Sequence, residues 1–170
     1  MIKFKTVLIA FVTIVITACA QEKTITKFNA STLSEKFTTL DGSEITFENI
    51  LKKHKGKTIV IDVWASWCSD CLKGLPLVKE LQEKTVADDL VYVFLSVDKK
   101  KESWKAAITK RTIKGDHYFT PTGMKGAFGK SIDLDWIPRY MVVGKDSSIK
   151  LYRAVKANDS KILEAINADK

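Results

Sequence analysis

The chain has little cysteine, histidine or proline: three Cys, two His and three Pro in 170 residues. A structural zinc site wants four Cys or His ligands, usually as two closely spaced pairs. Cys19, Cys68 and Cys71, with His54 and His117 isolated from them, do not form that pattern, so no metal is expected. There is no internal repeat and no low-complexity linker. The apolar run near the N-terminus is shorter than the ~20 residues a membrane-spanning helix needs. The formal net charge is +8, a surplus that favours acidic partners or anionic headgroups. The lysines are nevertheless spread along the chain, and the densest run, Lys99-Lys100-Lys101, reads as a solvated loop at a strand end. Aromatic residues do not interleave with a basic stripe, which argues against nucleic acid as a partner.

Lys3 and Lys5 precede a mostly apolar run from Thr6 to Ala18 with no acidic residue. That composition matches a secretory signal, so residues 1–18 are left out of the domain. Ile16-Thr17-Ala18-Cys19 resembles a bacterial lipobox, in which Cys19 becomes the lipidated first residue of the mature protein. An uncleaved signal anchor, or an ordinary cleavage site that leaves Cys19 free, stays open as an alternative. Each of these places the domain outside the cytoplasm, in the cell envelope, in the periplasm or on the outer face of a bacterial membrane. Removing 18 residues from 170 leaves 152, enough for one well-buried domain and too few for two. The expected organisation is a signal peptide over 1–18, a lipidated cysteine and tether over 19–27, and a single domain over 28–170.

The richest local signal is Cys68-Ser69-Asp70-Cys71. Two cysteines three apart follow the apolar run Ile59 to Trp64 and precede an amphipathic helical pattern, a context that reads as a dithiol/disulfide redox centre. At a strand-to-helix junction the first cysteine sits at the helix N-terminus, where unpaired N–H groups and the helix dipole favour its thiolate. Cys68 is therefore expected as the nucleophile and Cys71, one turn on, as the resolving thiol. Two buried thiols, or a purely structural disulfide, are the alternatives, because free cysteine packs well as a small apolar residue.

The rest of the chain supplies alternating elements. Phe28 to Phe47 holds two short apolar patches around an Asp41-Gly42 turn signal, which predicts a hairpin. Glu48 to His54 predicts a short helix, and Thr58 to Trp64, apolar almost throughout, a central parallel strand. Leu72, Leu75, Val78 and Leu81 give one helical face through about Glu83, with Pro76 expected to kink it. Leu90 to Val97 reads as a neighbouring central strand and Glu102 to Lys110 as a helix. A glycine-rich stretch follows that holds at most a short helix near Met124 to Phe128. Tyr140 to Val143 and Ile149 to Arg153 read as an antiparallel pair, and Ser160 to Ala168 as a closing helix capped by Asp159 or Ser160.

Trp64-Ala65-Ser66-Trp67-Cys68-Ser69-Asp70-Cys71, with Pro76 beyond it and Trp136-Ile137-Pro138-Arg139-Tyr140 ahead of a strand, resembles the thioredoxin superfamily. Its tethered extracytoplasmic TlpA/ResA-like branch is the nearest match, and the resemblance covers about Phe28 to the C-terminus. It implies an α/β fold: a thioredoxin-like three-layer α/β/α arrangement with a central mixed sheet and an N-terminal β-hairpin extension. It also implies that Pro138 is cis and packs against the active-site disulfide, where the backbone edge of Ile137 meets a substrate strand. An ordinary trans proline is the alternative. Asp62 matches the superfamily's buried acid, which would take or return the proton of Cys71, a role suited to an upward-shifted pKa. A carboxylate facing solvent at a strand edge is the other reading.

Trp67 and Trp64 are expected to shield the sulfurs or form a docking rim, with packing alone an equal reading for Trp64. Asp70 departs from the resemblance, since proline usually stands there. A carboxylate beside Cys68 opposes its thiolate, yet near a helix N-terminus it is itself favoured, so the sign of its effect is open. Arg139 is a candidate for attracting an acidic partner, and His54 and His117 are expected at the surface.

The implied activity is thiol–disulfide exchange with protein dithiol or disulfide partners, without metal or organic cofactor. In the tethered branch the usual direction is reduction, with electrons from a membrane donor. The protein is expected to be a monomer held at a membrane by its lipid anchor. Oxidation or isomerisation of secreted-protein disulfides would use the same fold. A non-enzymatic thioredoxin-fold binding module is the alternative from another class. A peroxidase is disfavoured, because it would need a threonine three residues before the reactive cysteine, and position 65 is Ala.

Overall fold

The computed structural model describes residues 24–170; the signal segment 1–18 and the lipidation site Cys19 lie outside the described residues. Strands β1 (Lys36–Thr38) and β2 (Glu44–Thr46) form the expected hairpin, preceded by a short helix α1 (Ala30–Leu33). Helix α2 (Phe47–Lys53) leads into β3 (Thr58–Trp64), then α3 (Ser69–Lys84), β4 (Leu90–Ser96), α4 (Lys101–Arg111) and β5 (Asp116–Phe119). A 3-10 turn (Gly123–Lys125), α5 (Ala127–Ser131), β6 (Arg139–Val143), β7 (Ile149–Ala154) and α6 (Ser160–Asn167) complete the chain.

The seven strands make one mixed sheet in the order β2-β1-β5-β4-β3-β6-β7. β3, β4 and β5 run parallel, while β6 lies antiparallel to β3 and β7 antiparallel to β6. All seven residues of β3 are buried, as befits a strand covered on both faces. Helices pack against each side of the sheet. On one, Thr85 at the end of α3 meets the Tyr92 hydroxyl at 2.6 Å, and Trp104 of α4 packs on Phe119. On the other, Phe28, Phe37, Phe47 and Phe128 join the hairpin, α2 and α5 in one aromatic cluster. Burial of each such ring is worth about 1.5–3 kcal/mol.

Two departures from expectation have local causes. β5 lies in the glycine-rich stretch where no strand is expected: it is four residues long, begins with an aspartate and follows Gly115, whose φ of +143° only glycine adopts readily. A Cβ at Gly115 would also lie 2.7 Å from the Phe94 ring and 2.8 Å from the Tyr92 carbonyl, so the chain turns there against its own sheet. As expected, helix α3 spans Pro76 and runs to Lys84, the proline costing it one N–H donor. Within the segment assigned to the tether, Ile25 packs on the core and the Thr26 carbonyl accepts from Ile149 N–H, so these residues join the domain.

Candidate active site

Cys68 and Cys71 form a disulfide at the junction of β3 and α3, with Cα atoms 5.3 Å apart. Cys68 is the N-cap of α3: its extended backbone precedes the helix, and its Sγ accepts the Cys71 N–H at 3.1 Å. In the reduced protein that N–H and the helix dipole act on the Cys68 sulfur where negative charge would sit. Asp70, exposed in the first turn, faces Lys73 at 4.0 Å. Both sulfur-bearing residues are otherwise buried.

The second wall of the site comes from the loop before β6. The Ile137–Pro138 peptide bond is cis, and the Ile137 carbonyl oxygen lies 3.7 Å from Cys68 Sγ. Two tryptophans flank this contact, Trp67 at 60% exposure and Trp136 at 64%, whereas Trp64 is core. Arg139, a candidate for attracting an acidic partner, is fully buried instead. Its guanidinium donates to the Ile132 carbonyl (2.8 Å), the Asp133 carbonyl (3.3 Å) and Asp135 (2.6 Å), which ties down the loop presenting Trp136 and Ile137. Burying that cation is tolerable only because these oxygens replace water.

Asp62 is 4% exposed, and its Oδ1 has no hydrogen-bond partner. It stands opposite Tyr140 on β6 and beside Phe94 on β4. Directly paired residues share a sheet face. The Tyr140 hydroxyl reaches α3, where it sits 3.3 Å from the place a Cβ on Gly74 would occupy. Asp62 therefore belongs to the face covered by α3, the helix that carries Cys71. Burial without a compensating cation pushes its carboxyl up to about 8, so it holds a proton at neutral pH. The solvent-facing reading of Asp62 is thereby replaced by a buried acid.

One positioning group carries no clear mark in the sequence. Asp98, just past β4, accepts from Ser66 N–H (2.9 Å), Ser66 Oγ (2.6 Å) and Ser96 Oγ (2.8 Å), bracing the Trp64-to-Cys68 turn from behind. The only available signal was an acid ending an apolar strand, which also describes ordinary loop starts. His54 and His117, expected at the surface, are 7% and 6% exposed. His117 stacks on Phe94 and its Nε2 meets the Ile113 carbonyl at 2.9 Å; His54 Nε2 lies 3.0 Å from Asp116, outside good hydrogen-bond geometry. Neither histidine belongs to the cysteine site. Among the described residues no group of three or more His, Cys, Asp or Glu is placed to hold a metal ion.

A family model described as thioredoxin-like matches residues 56–149, a span that contains the disulfide, Asp62 and the cis proline. The chain belongs to the thioredoxin-like family. A solution structure from Bacteroides vulgatus, assigned as a thiol-disulfide oxidoreductase, is 34% identical with a TM-score of 0.67, the match covering 82% of this thioredoxin-like chain and 88% of that one. A crystal structure from the same organism with the same assignment is 25% identical, TM-score 0.66, over 79% and 91%. Among curated proteins, a thioredoxin from Coprinus comatus is 38% identical over 45 residues, 26% of this chain and 42% of its own. The chain spans about half the length, or less, of the curated relatives it matches. The three-layer mixed-sheet fold with its N-terminal hairpin is that of the thioredoxin-like proteins.

Proposed function

We propose that this thioredoxin-like protein is a membrane-tethered thiol–disulfide oxidoreductase of the cell envelope, of the TlpA/ResA type, that reduces disulfides of partner proteins. The observation that carries the reading is the Cys68–Cys71 disulfide capping α3 beside the Ile137 carbonyl. In the reduced enzyme the Cys68 thiolate attacks a sulfur of the partner's disulfide, forming a mixed disulfide and releasing the first partner thiolate. Cys71 loses its proton to Asp62, acting in the minority ionised form that a carboxyl raised to about 8 retains at neutral pH, attacks Cys68 Sγ, closes the disulfide and releases the second partner thiolate, to which the proton is returned. Two electrons pass to the partner, and a membrane dithiol donor must restore the Cys68–Cys71 dithiol. Ile137 and Pro138 supply the backbone edge for an extended partner segment, with Trp67 on the rim. No cofactor takes part, and lipidation at Cys19 supplies the tether.

The test is the reduction potential, read by equilibrating the protein with glutathione and dithiothreitol buffers, alkylating and counting adducts by mass. A value near or below about −230 mV supports a reductase fed by a dedicated donor, by analogy with thioredoxin near −270 mV; a value near about −120 mV reverses the direction of flux. Dithiothreitol-driven insulin reduction no faster than with Cys68→Ser would assign the chain to the non-enzymatic binding class.

A further inference from the structure

A groove of about 650 Å³ opens beside the disulfide, floored by Pro138 and Tyr140 and walled by Trp136. Three cations reach it from separate elements: Lys73 from α3, Arg153 from β7 and Lys156 from the turn after β7. Two acids oppose them, which leaves one cation in excess. Asp70 on the rim lies 4.0 Å from Lys73, Asp135 pairs with Arg153 at 2.8 Å, and among the described residues Lys156 has no ion-pair partner. The groove begins at the proline whose preceding carbonyl faces Cys68, so a polypeptide joined to Cys68 through its own cysteine and laid along Ile137 runs directly into it.

We propose that this groove selects disulfides flanked by acidic residues: it binds an extended, Asp- or Glu-bearing segment of the partner polypeptide next to the cysteine under attack. The inference rests on the oxidoreductase reading and adds the substrate class. An extended segment advances about 3.3 Å per residue and turns alternate side chains to one side. Carboxylates at alternate positions then meet Lys73 and Lys156, while the intervening side chains lie toward Trp136. Solvent-exposed pairs of this kind are individually weak and salt-sensitive, so the selectivity is a kinetic preference that ionic strength erases.

The experiment uses the reduced protein and short synthetic peptides, each closed by one internal disulfide and flanked by Glu, Gln or Lys; hydroxyethyl disulfide serves as an uncharged reference. The expected result is a ratio of kcat/KM for Glu- over Lys-flanked peptides of about tenfold at low salt, shrinking to about twofold or less near 0.5 M NaCl. Lys73→Glu/Lys156→Glu should invert the ratio. Lys105→Glu/Lys110→Glu, which changes net charge equally on the exposed face of α4, should keep it. A wild-type ratio near one, with the uncharged disulfide still reduced, overturns the groove's selectivity and leaves the oxidoreductase intact. Equal loss of the ratio in both double variants overturns it too, by assigning the preference to overall charge. No reduction of any disulfide overturns the parent reading and this one together.

Discussion

Asp62 carries the sharpest residue-scale consequences. Its carboxyl, raised by burial to about 8, is protonated in the folded protein and ionised in the unfolded chain between about pH 4 and 8. The folded state then binds the extra proton, so stability falls as pH rises through that window and levels off above it. For the oxidised protein, chemical denaturation should show the unfolding free energy declining by up to about 1.4 kcal/mol per pH unit between pH 6.5 and 8. Asp62→Asn should abolish that decline and be more stable at pH 8, while resolving mixed disulfides more slowly. Cys71→Ser should accumulate a mixed disulfide with partner proteins through Cys68, seen as an adduct by mass that dithiothreitol removes. An identical adduct yield with Cys68→Ser would contradict the assigned roles.

The sequence showed Asp62, Cys68, Cys71 and Pro138 because each breaks a pattern: an acid in an apolar strand, a close cysteine pair, a proline entering a strand. Arg139, Asp98 and the two histidines break none, and their burial is set by partners distant in sequence or by loop shape.

At the scale of elements, the long apolar runs were legible. β3 and α3 begin where composition places them, because a run apolar but for Thr58 and Asp62, or a repeating helical face, leaves little choice. The short elements α1 and β5 were not, since four residues bury too little to impose a period and depend on what docks on them. Glu35 shows that dependence. Its buried carboxylate accepts from the Phe128 N–H and the Thr122 hydroxyl, joining the end of α1 to the region of α5. Glu35→Ala would leave the Phe128 N–H unsatisfied and should cost about 1–3 kcal/mol in denaturant unfolding, with Glu35→Gln recovering part of it. Loss confined to the first segment and α5 by hydrogen exchange, with β3 and α3 still protected, is the pattern expected.

Across the whole molecule, acid sensitivity comes from the histidines that fasten β5. Burial lowers the pKa of both His54 and His117, with Asp116 opposing the shift in each without overcoming it. The unfolded chain then takes up protons near 6.5 that the folded one refuses, so their contribution is constant above about pH 6.5 and stability is lost as pH drops below it. Asp62 acts in the opposite sense over the same range, so the Asp62→Asn background isolates the effect. There, urea midpoints should fall from pH 7 to pH 5, and His117→Phe, which keeps the ring against Phe94, should flatten the fall.

The Glu35 clamp also sets an order of events during synthesis. It joins residues 87 and 93 positions apart, and β1 beside it pairs only with β2 and with β5, far along the chain. At about 5–20 residues per second, the hairpin that leaves the ribosome early waits about 4–16 seconds for the strand that will cover its edge. The hairpin is thus made early and locked only once β5 and α5 have emerged.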